Sequence, residues 1–444
     1  MIKLSSASQD KKECLALNKA VFTLQAKTLR DAVANLNEQT SLVFDEENAS
    51  PPSASPCFYV NRPDNPMEEL KTFLIASTGC DKILFSGHIG SGKSTELNRF
   101  SSMPEIQEKF LVIKYSVNEI LNIIDIHYID FLLSLAAYLY VSASDQGISF
   151  NSTVLKGIEK WINYSRRGIK GLEEEEKSKS TAKKIYGFFT RLSVILLREW
   201  ALRDTVREAI ERNINGLVNV INSLVTHIES QIGKKQLLII IDDLEKIPDI
   251  TKAEALFFNA GYYMTMPRCK IIYTVPIALY YSIEFNRLKG IFGNSYFLPN
   301  IKVRDKGGKG GIDPTGCMKE FLQKRIDIDC INKEAVDIII ENSAGVAREF
   351  VRILRSACIK SISRGVSKIE TDIVNAVITE LRNEYERGLE KRHLDVLLAI
   401  EKGELINDHK TLMELYHSKI LLEYLNGDRW TDINPIVKPL LRRK

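Results

Sequence analysis

The sequence predicts an α/β fold, a parallel sheet covered by helices on both faces. Three observations carry that prediction. Five short, apolar, β-prone runs (Ile83–Phe85, Phe110–Tyr115, Leu237–Ile241, Lys270–Val275 and Tyr296–Val303) alternate with stretches of helical periodicity. A glycine-rich loop directly follows the first run and opens a helix. The third run ends in two aspartates, and acids at the carboxyl end of a parallel strand face the crevice where such sheets bind ligands.

The other elements follow in chain order. Residues 11–44 read as helical, with Leu15, Val21, Phe22, Leu29, Val33 and Leu36 on one stripe, and a Pro/Ser-rich linker occupies 47–56. An extended piece at 58–63 leads to a helix beginning near Pro66. Between the second and third runs, Ile120–Val141 is apolar and helical, and 145–232 reads as a helical insertion. Within it, the charge run 166–184 reads as a solvated helix tip or loop. Ile210, Ile214, Leu217, Ile221, Leu224 and Ile228 form a coiled-coil-like seam, assigned to an internal hairpin in preference to a dimer contact. The glycine-rich stretch 306–316 has no strand before it and no Gly-Lys-Ser/Thr, so it reads as a connector. Residues 317–387 are helical, and 388–444 read helix, helix, hairpin with Asn426-Gly427 at the turn. The expected divisions are 1–56, 57–305 with 145–232 inserted, 306–387 and 388–444.

Composition excludes several functions. Hydrophobic residues at 44% and charged residues at 27% match an ordinary globular core, and a net charge of +4 does not mark a polyanion binder. The longest nearly apolar stretch, Phe131–Val141, is too short to span a bilayer, and the N-terminus has no signal-peptide core, so a cytoplasmic protein without membrane association is expected. Seven cysteines without CxxC and six histidines without HxxxH or HExxH argue against a disulfide framework or a zinc centre.

The chemistry is concentrated in a few segments. Gly87-His88-Ile89-Gly90-Ser91-Gly92-Lys93-Ser94-Thr95 fits GxxxxGK[ST]. Gly87, Gly90 and Gly92 let successive N–H groups turn inward around phosphates, and the following helix adds its N-terminal dipole. Lys93 brings a point charge to the outer phosphates, and the Ser94 hydroxyl suits Mg²⁺; Ser91 and Thr95 complete the cradle. His88 has no assigned role. In Leu237–Lys246, Asp242 is placed to hold the metal, and either Asp243 or Glu245 to orient and deprotonate a water. Thr274 ends the fourth run, either to bond the γ-phosphate or water or as a plain strand-end threonine. Arg348, within Ser343–Phe350, is either a charge sensor over the phosphates or a surface arginine on a packed helix.

At these residues the chain resembles the additional-strand P-loop ATPases, which include the AAA+ and STAND ATPases. GHIGSGKST resembles their Walker A motif and LLIIIDDLEK their Walker B, with one strand between them in sequence. The resemblance implies a P-loop NTPase sheet with a long helical insertion, a helical lid and a C-terminal winged helix, as in origin-recognition ATPases. It implies ATP and Mg²⁺ as ligands, Thr274 as first sensor, Arg348 in a second-sensor helix, and adenine contacts from Phe58–Pro63. Relatives of the AAA+ type usually carry glutamate where Asp243 stands, which implies slow hydrolysis, and Arg287 and Arg304 are the candidate arginine fingers. The guanine-reading NKxD motif is missing from its expected place, favouring ATP over GTP. The expected function is an ATP-driven conformational switch acting through a protein partner, in bacterial defence or signalling, with homo-oligomerisation plausible. The alternative is a DNA-acting ATPase, against which twelve Lys/Arg balance twelve Asp/Glu over 380–444.

Overall fold

A computed structural model describes residues 25–44, 54–166, 180–304, 315–426 and 428–442. The first part of the expected N-terminal helix, most of the 47–56 linker, residues 167–179 of the charge run, nearly all of 306–316 and Gly427 lie outside the described residues.

Five parallel strands form the central sheet: β1 (Lys82–Ser86), β2 (Phe110–Ser116), β3 (Gln236–Asp242), β4 (Lys270–Val275) and β5 (Gly293–Phe297), in the order β2-β3-β4-β1-β5. β4 therefore stands between the strand of the glycine loop and the strand of the aspartates. The loop and the aspartates emerge from the same edge of the sheet on either side of Thr274.

The pleat sorts side chains by parity. Ile83, Phe85, Leu238 and Ile240 face α1 (Met67–Ala76) and α2 (Lys93–Ser101). Leu84, Leu237, Ile239 and Ile241 face the long apolar α3 (Tyr128–Asp145). Both faces are covered, which is why these strands read as continuous apolar runs. The fifth strand begins three residues before the expected Tyr296–Val303 and overlaps that run only at Tyr296 and Phe297. The chain leaves the sheet after Phe297: Leu298 N–H still donates to Ser86 O (2.8 Å), but Ile301 N–H donates to Gly345 O (3.0 Å). Ile301 is buried with the helical lid instead of the sheet.

The insertion consists of α4 (Ser152–Arg166), α5 (Thr181–Arg198), α6 (Trp200–Glu211) and α7 (Ile214–Gln231), and it shares one apolar core with α3. The seam is internal. Leu217, Ile221, Leu224 and Ile228 are buried, and α7 packs on α3 and α4. Its heptads do not form one helix, because the chain breaks at Arg212–Asn213 between α6 and α7.

The lid comprises α8 (Lys333–Ser343), α9 (Ala347–Ser363) and α10 (Thr371–Arg387). Ala26, Leu29, Ala32 and Leu36 are buried in its core, and Leu29–Asn35 forms a short helix capped by Thr28. The expected helix to residue 44 stops there. Residues 37–44 run as an irregular strap, held by Leu42 N–H to Thr95 Oγ1 (3.2 Å) and Asn98 Nδ2 to Leu42 O (2.7 Å). The C-terminal unit is helix, helix, hairpin as expected: α11 (Lys391–Lys402), α12 (His409–His417), β6 (Leu421–Asn426) and β7 (Asp428–Ile433), the strands antiparallel. No helix among the described residues is long and apolar enough to cross a membrane.

Candidate functional site

The loop between β1 and α2 is shaped by glycine. Gly92 (φ +104°) caps α2 in the left-handed region. Gly90 (φ +91°) admits no side chain, since a Cβ there would lie 2.6 Å from Arg348 Cβ. The lid meets the loop at that point, where Arg348 N–H donates to Gly90 O (3.1 Å). Beneath the loop, the buried Arg62 donates through Nη1 to Ser91 O (2.6 Å) and through Nη2 to Pro299 O. Burial lowers the pKa of this guanidinium.

Lys93 is buried at the start of α2. Its Nζ donates to Gly87 O (2.9 Å) and His88 O (3.0 Å) and lies 3.3 Å from Glu245 Oε1. Burial lowers its pKa, with Glu245 and Asp242 opposing. Asp242 Oδ1 accepts from Asp243 N–H (2.9 Å), and its Oδ2 lies 3.1 Å from Lys114 Nζ. Burial raises this carboxyl above its ordinary range, and Lys114 pulls the other way. Asp243 adopts φ +72°, which aspartate tolerates better than most residues. Its carboxylate meets Ser116 Oγ (2.6 Å) and Lys246 Nζ (2.5 Å). Burial pushes its pKa up, but Lys246 and Ser116 outweigh burial and hold it low.

Asp242, Asp243 and Glu245 each offer an oxygen within 4.8 Å of the others, a hard donor set that fits a divalent cation. Ser91 Oγ and Glu245 Oε2 are buried without hydrogen-bond partners among the described residues. Unpaired buried polar atoms are costly in a native fold, and both belong to residues that border one cavity.

One cavity of about 540 Å³ collects most of the residues singled out from the sequence: Gly90, Ser91, Gly92, Lys93, Ser94, Thr95, Asp242, Asp243, Glu245 and Arg348. That volume suits a small-molecule ligand. Gly87 lies outside the lining, close under Leu298 O. Thr274 is fully buried behind the cavity, its Oγ1 accepting from Leu244 N–H (3.1 Å) and donating to Ile241 O (3.4 Å). That bonding fixes the turn after β3. Arg348 reaches the cavity, with Nε donating to Glu38 O (3.0 Å) of the strap. Phe58, Tyr59, Val60 and Arg62 of the 58–63 segment line it too, as does Arg325, whose guanidinium stacks on Phe321 (3.6 Å). The two candidate fingers lie outside the lining: Arg287 pairs with Glu284 (2.9 Å) and Arg304 with Asp432 of the hairpin.

Among solved structures the chain is similar to the Aeropyrum pernix ORC2 protein in ADPNP–ADP complexes, at 12% identity over 87% of this chain and 97% of that one (TM-score 0.40). It is similar to Cdc6p from Pyrobaculum aerophilum, at 13% identity over 91% and 99% (TM-score 0.37). It is also similar to the Thermotoga maritima RuvB Holliday junction branch migration motor, at 13% identity over 86% and 95% (TM-score 0.36). No family model and no curated protein matches the chain.

Sequence reasoning missed four functional neighbours. His88 points away from the cavity, and its Nε2 accepts from Glu423 N–H (2.8 Å) of β6. Burial, aided by Lys93 and Lys419, lowers its pKa to about 3, so it is neutral at ordinary pH. Lys114 and Ser116 come from β2; Lys114 fell inside the second run and Ser116 just past its end, and neither was singled out. Arg62 lay inside the flagged 58–63 segment, and its position under the loop was not legible.

Proposed function

We propose that this chain binds ATP with Mg²⁺, hydrolyses it slowly, and converts the nucleotide state into a rearrangement of the lid and the C-terminal unit that a protein partner reads. The loop carries this reading, because separate units hold it on two sides. The lid grips it through Arg348 N–H to Gly90 O (3.1 Å), and the hairpin through Glu423 N–H to His88 Nε2 (2.8 Å). A loop that reshapes around phosphates strains or relaxes both contacts at once.

The backbone N–H groups of 90–95 and the α2 dipole bind the phosphates, and Lys93 transfers from Glu245 to the outer ones. Ser94 and Asp242 would hold the metal, which would supply charge neutralisation for the phosphates. Asp243, kept ionised by Lys246 and Ser116, accepts the proton of the attacking water as the bond between the γ-phosphorus and the ADP oxygen breaks. Thr274 keeps Leu244, and with it the Asp242–Glu245 turn, in place. Arg348 joins the phosphates to the lid.

Limited proteolysis of the full chain tests the switch. ATP and ADP are expected to give different cleavage rates in the lid and the C-terminal unit, and His88→Ala to uncouple the C-terminal rate while ATP still binds. Identical patterns with both nucleotides would remove the switch reading and leave an ATP-binding scaffold.

A further inference from the structure

Three lysines pair one to one with the three carboxylates of the site: Lys93 with Glu245 (3.3 Å), Lys114 with Asp242 (3.1 Å) and Lys246 with Asp243 (2.5 Å). The pairs differ in origin. Lys93 belongs to the phosphate loop, and Lys246 is a local partner three residues beyond Asp243. Lys114 comes from β2 and crosses diagonally to the tip of β3, where Ser116, two residues on, is the register partner of Asp242. Its ammonium occupies an oxygen of the carboxylate best placed to hold a divalent cation.

We propose that Lys114 is a built-in counter-ion of the metal position: it neutralises Asp242 while no metal is there and must give up Oδ2 for a divalent cation to bind. The inference rests on the nucleotide-binding reading above and names how that site is regulated.

The geometry provides for the exchange. Lys114 Nζ also donates to Asn98 Oδ1 (2.5 Å) on α2, so leaving Asp242 does not leave the ammonium bare. Its side chain is 23% exposed, whereas that of Asp242 is 4% exposed. Water can therefore solvate the lysine, but it cannot adequately solvate a lone Asp242 carboxylate. Asp242 without Lys114 would sit beside Asp243 and Glu245 as an unpaired buried charge, which a divalent cation relieves strongly. Lys114 thus weakens the metal site and reduces how far nucleotide affinity depends on metal. Asn98 also binds the strap through Leu42 O (2.7 Å), which places the second acceptor of Lys114 where strap, helix and metal position meet.

Equilibrium binding with the full chain tests this, reading Mn²⁺ alone by electron paramagnetic resonance and a fluorescent ATP analogue with Mg²⁺ or with EDTA. Lys114→Met is expected to tighten Mn²⁺ binding about 10-fold or more and to raise the Mg²⁺/EDTA affinity ratio by a similar factor, about 1.4 kcal/mol. Lys114→Arg, which keeps the charge, is expected to behave like the wild type. Should Lys114→Met unfold, Lys114→Gln retains the hydrogen-bonding capacity without the charge and gives the same readout. Unchanged Mn²⁺ affinity, or a nucleotide affinity that falls equally with and without metal, overturns the inference; the second result would make Lys114 a phosphate ligand. If the wild type binds Mn²⁺ but no nucleotide, the proposed function fails, and the Mn²⁺ comparison still decides the role of Lys114.

Discussion

Buried lysines sit at both ends of the sheet, and their surroundings differ. At the amino end, Lys270 Nζ donates to Ser77 Oγ (3.1 Å), Gly79 O (2.8 Å) and Asp81 Oδ2 (2.6 Å), and Lys82 Nζ to Cys80 O (2.6 Å) and Cys269 O (2.8 Å). Lys270 thus uses all three ammonium donors, and none of these residues lines the cavity beside Lys93. At the carboxyl end, Lys93 is equally buried, but Glu245 Oε2 and Ser91 Oγ beside it are left over and a cavity opens alongside. A closed network holds a fold together. An open one keeps its groups available to a ligand and leaves cost in the unliganded chain.

Substitutions at the two ends should therefore separate function from stability. The largest effect is expected at Asp243: Asp243→Asn slows phosphate release about 100- to 10,000-fold while ATP remains bound, with Glu245→Gln slowing it less. The reverse order, read in single-turnover phosphate release, would move the base role to Glu245. Next comes the amino end. Lys270→Met is expected to cost about 2–3 kcal/mol in denaturant unfolding and leave ATP affinity unchanged. A loss of affinity there would break the contrast between the two ends. Gly90→Ala should cost about 1–2 kcal/mol, from the positive φ and the 2.6 Å approach to Arg348 Cβ, and should raise proteolysis of the lid. The smallest effect concerns pH. An unfolded histidine titrates near 6.5, while folded His88 stays neutral down to about 3, so the folded chain binds fewer protons between those values. Its stabilising contribution is complete above pH 6.5 and declines as pH falls, by at most about 1.4 kcal/mol per pH unit. Unfolding midpoints of His88→Gln should accordingly depend less on pH between 6.5 and 5 than those of the wild type.

The sheet and the bend of the 87–95 loop were legible because local patterns specify them. Buried strands show as apolar runs, and glycines at 87, 90 and 92 encode a backbone that few other sequences can adopt. Asp242 and Asp243 were legible because a strand end fixes where a side chain emerges. The internal seam was correctly assigned, but its break at Asn213 was missed, since apolar spacing continues unchanged across it. The fifth strand was started three residues late, because Gly293-Asn294-Ser295 is not apolar, and carried past its end, because apolarity does not tell burial in a sheet from burial in a lid; Ile301 is the example. His88 was left without a role because its partner lies 335 residues away on the hairpin, and no local pattern encodes such a contact. Lys114 was missed for the same reason: its partner, Asp242, lies on another strand.

The most direct test of the central claim is calorimetric titration of ATP with Mg²⁺ into the wild-type chain and into Lys93→Ala. Saturable one-to-one binding by the wild type, weakened at least about 100-fold in the variant while it remains folded, is the predicted result. Equal binding by both, or none by either in folded protein, would contradict the assignment of the open end of the sheet to a nucleotide.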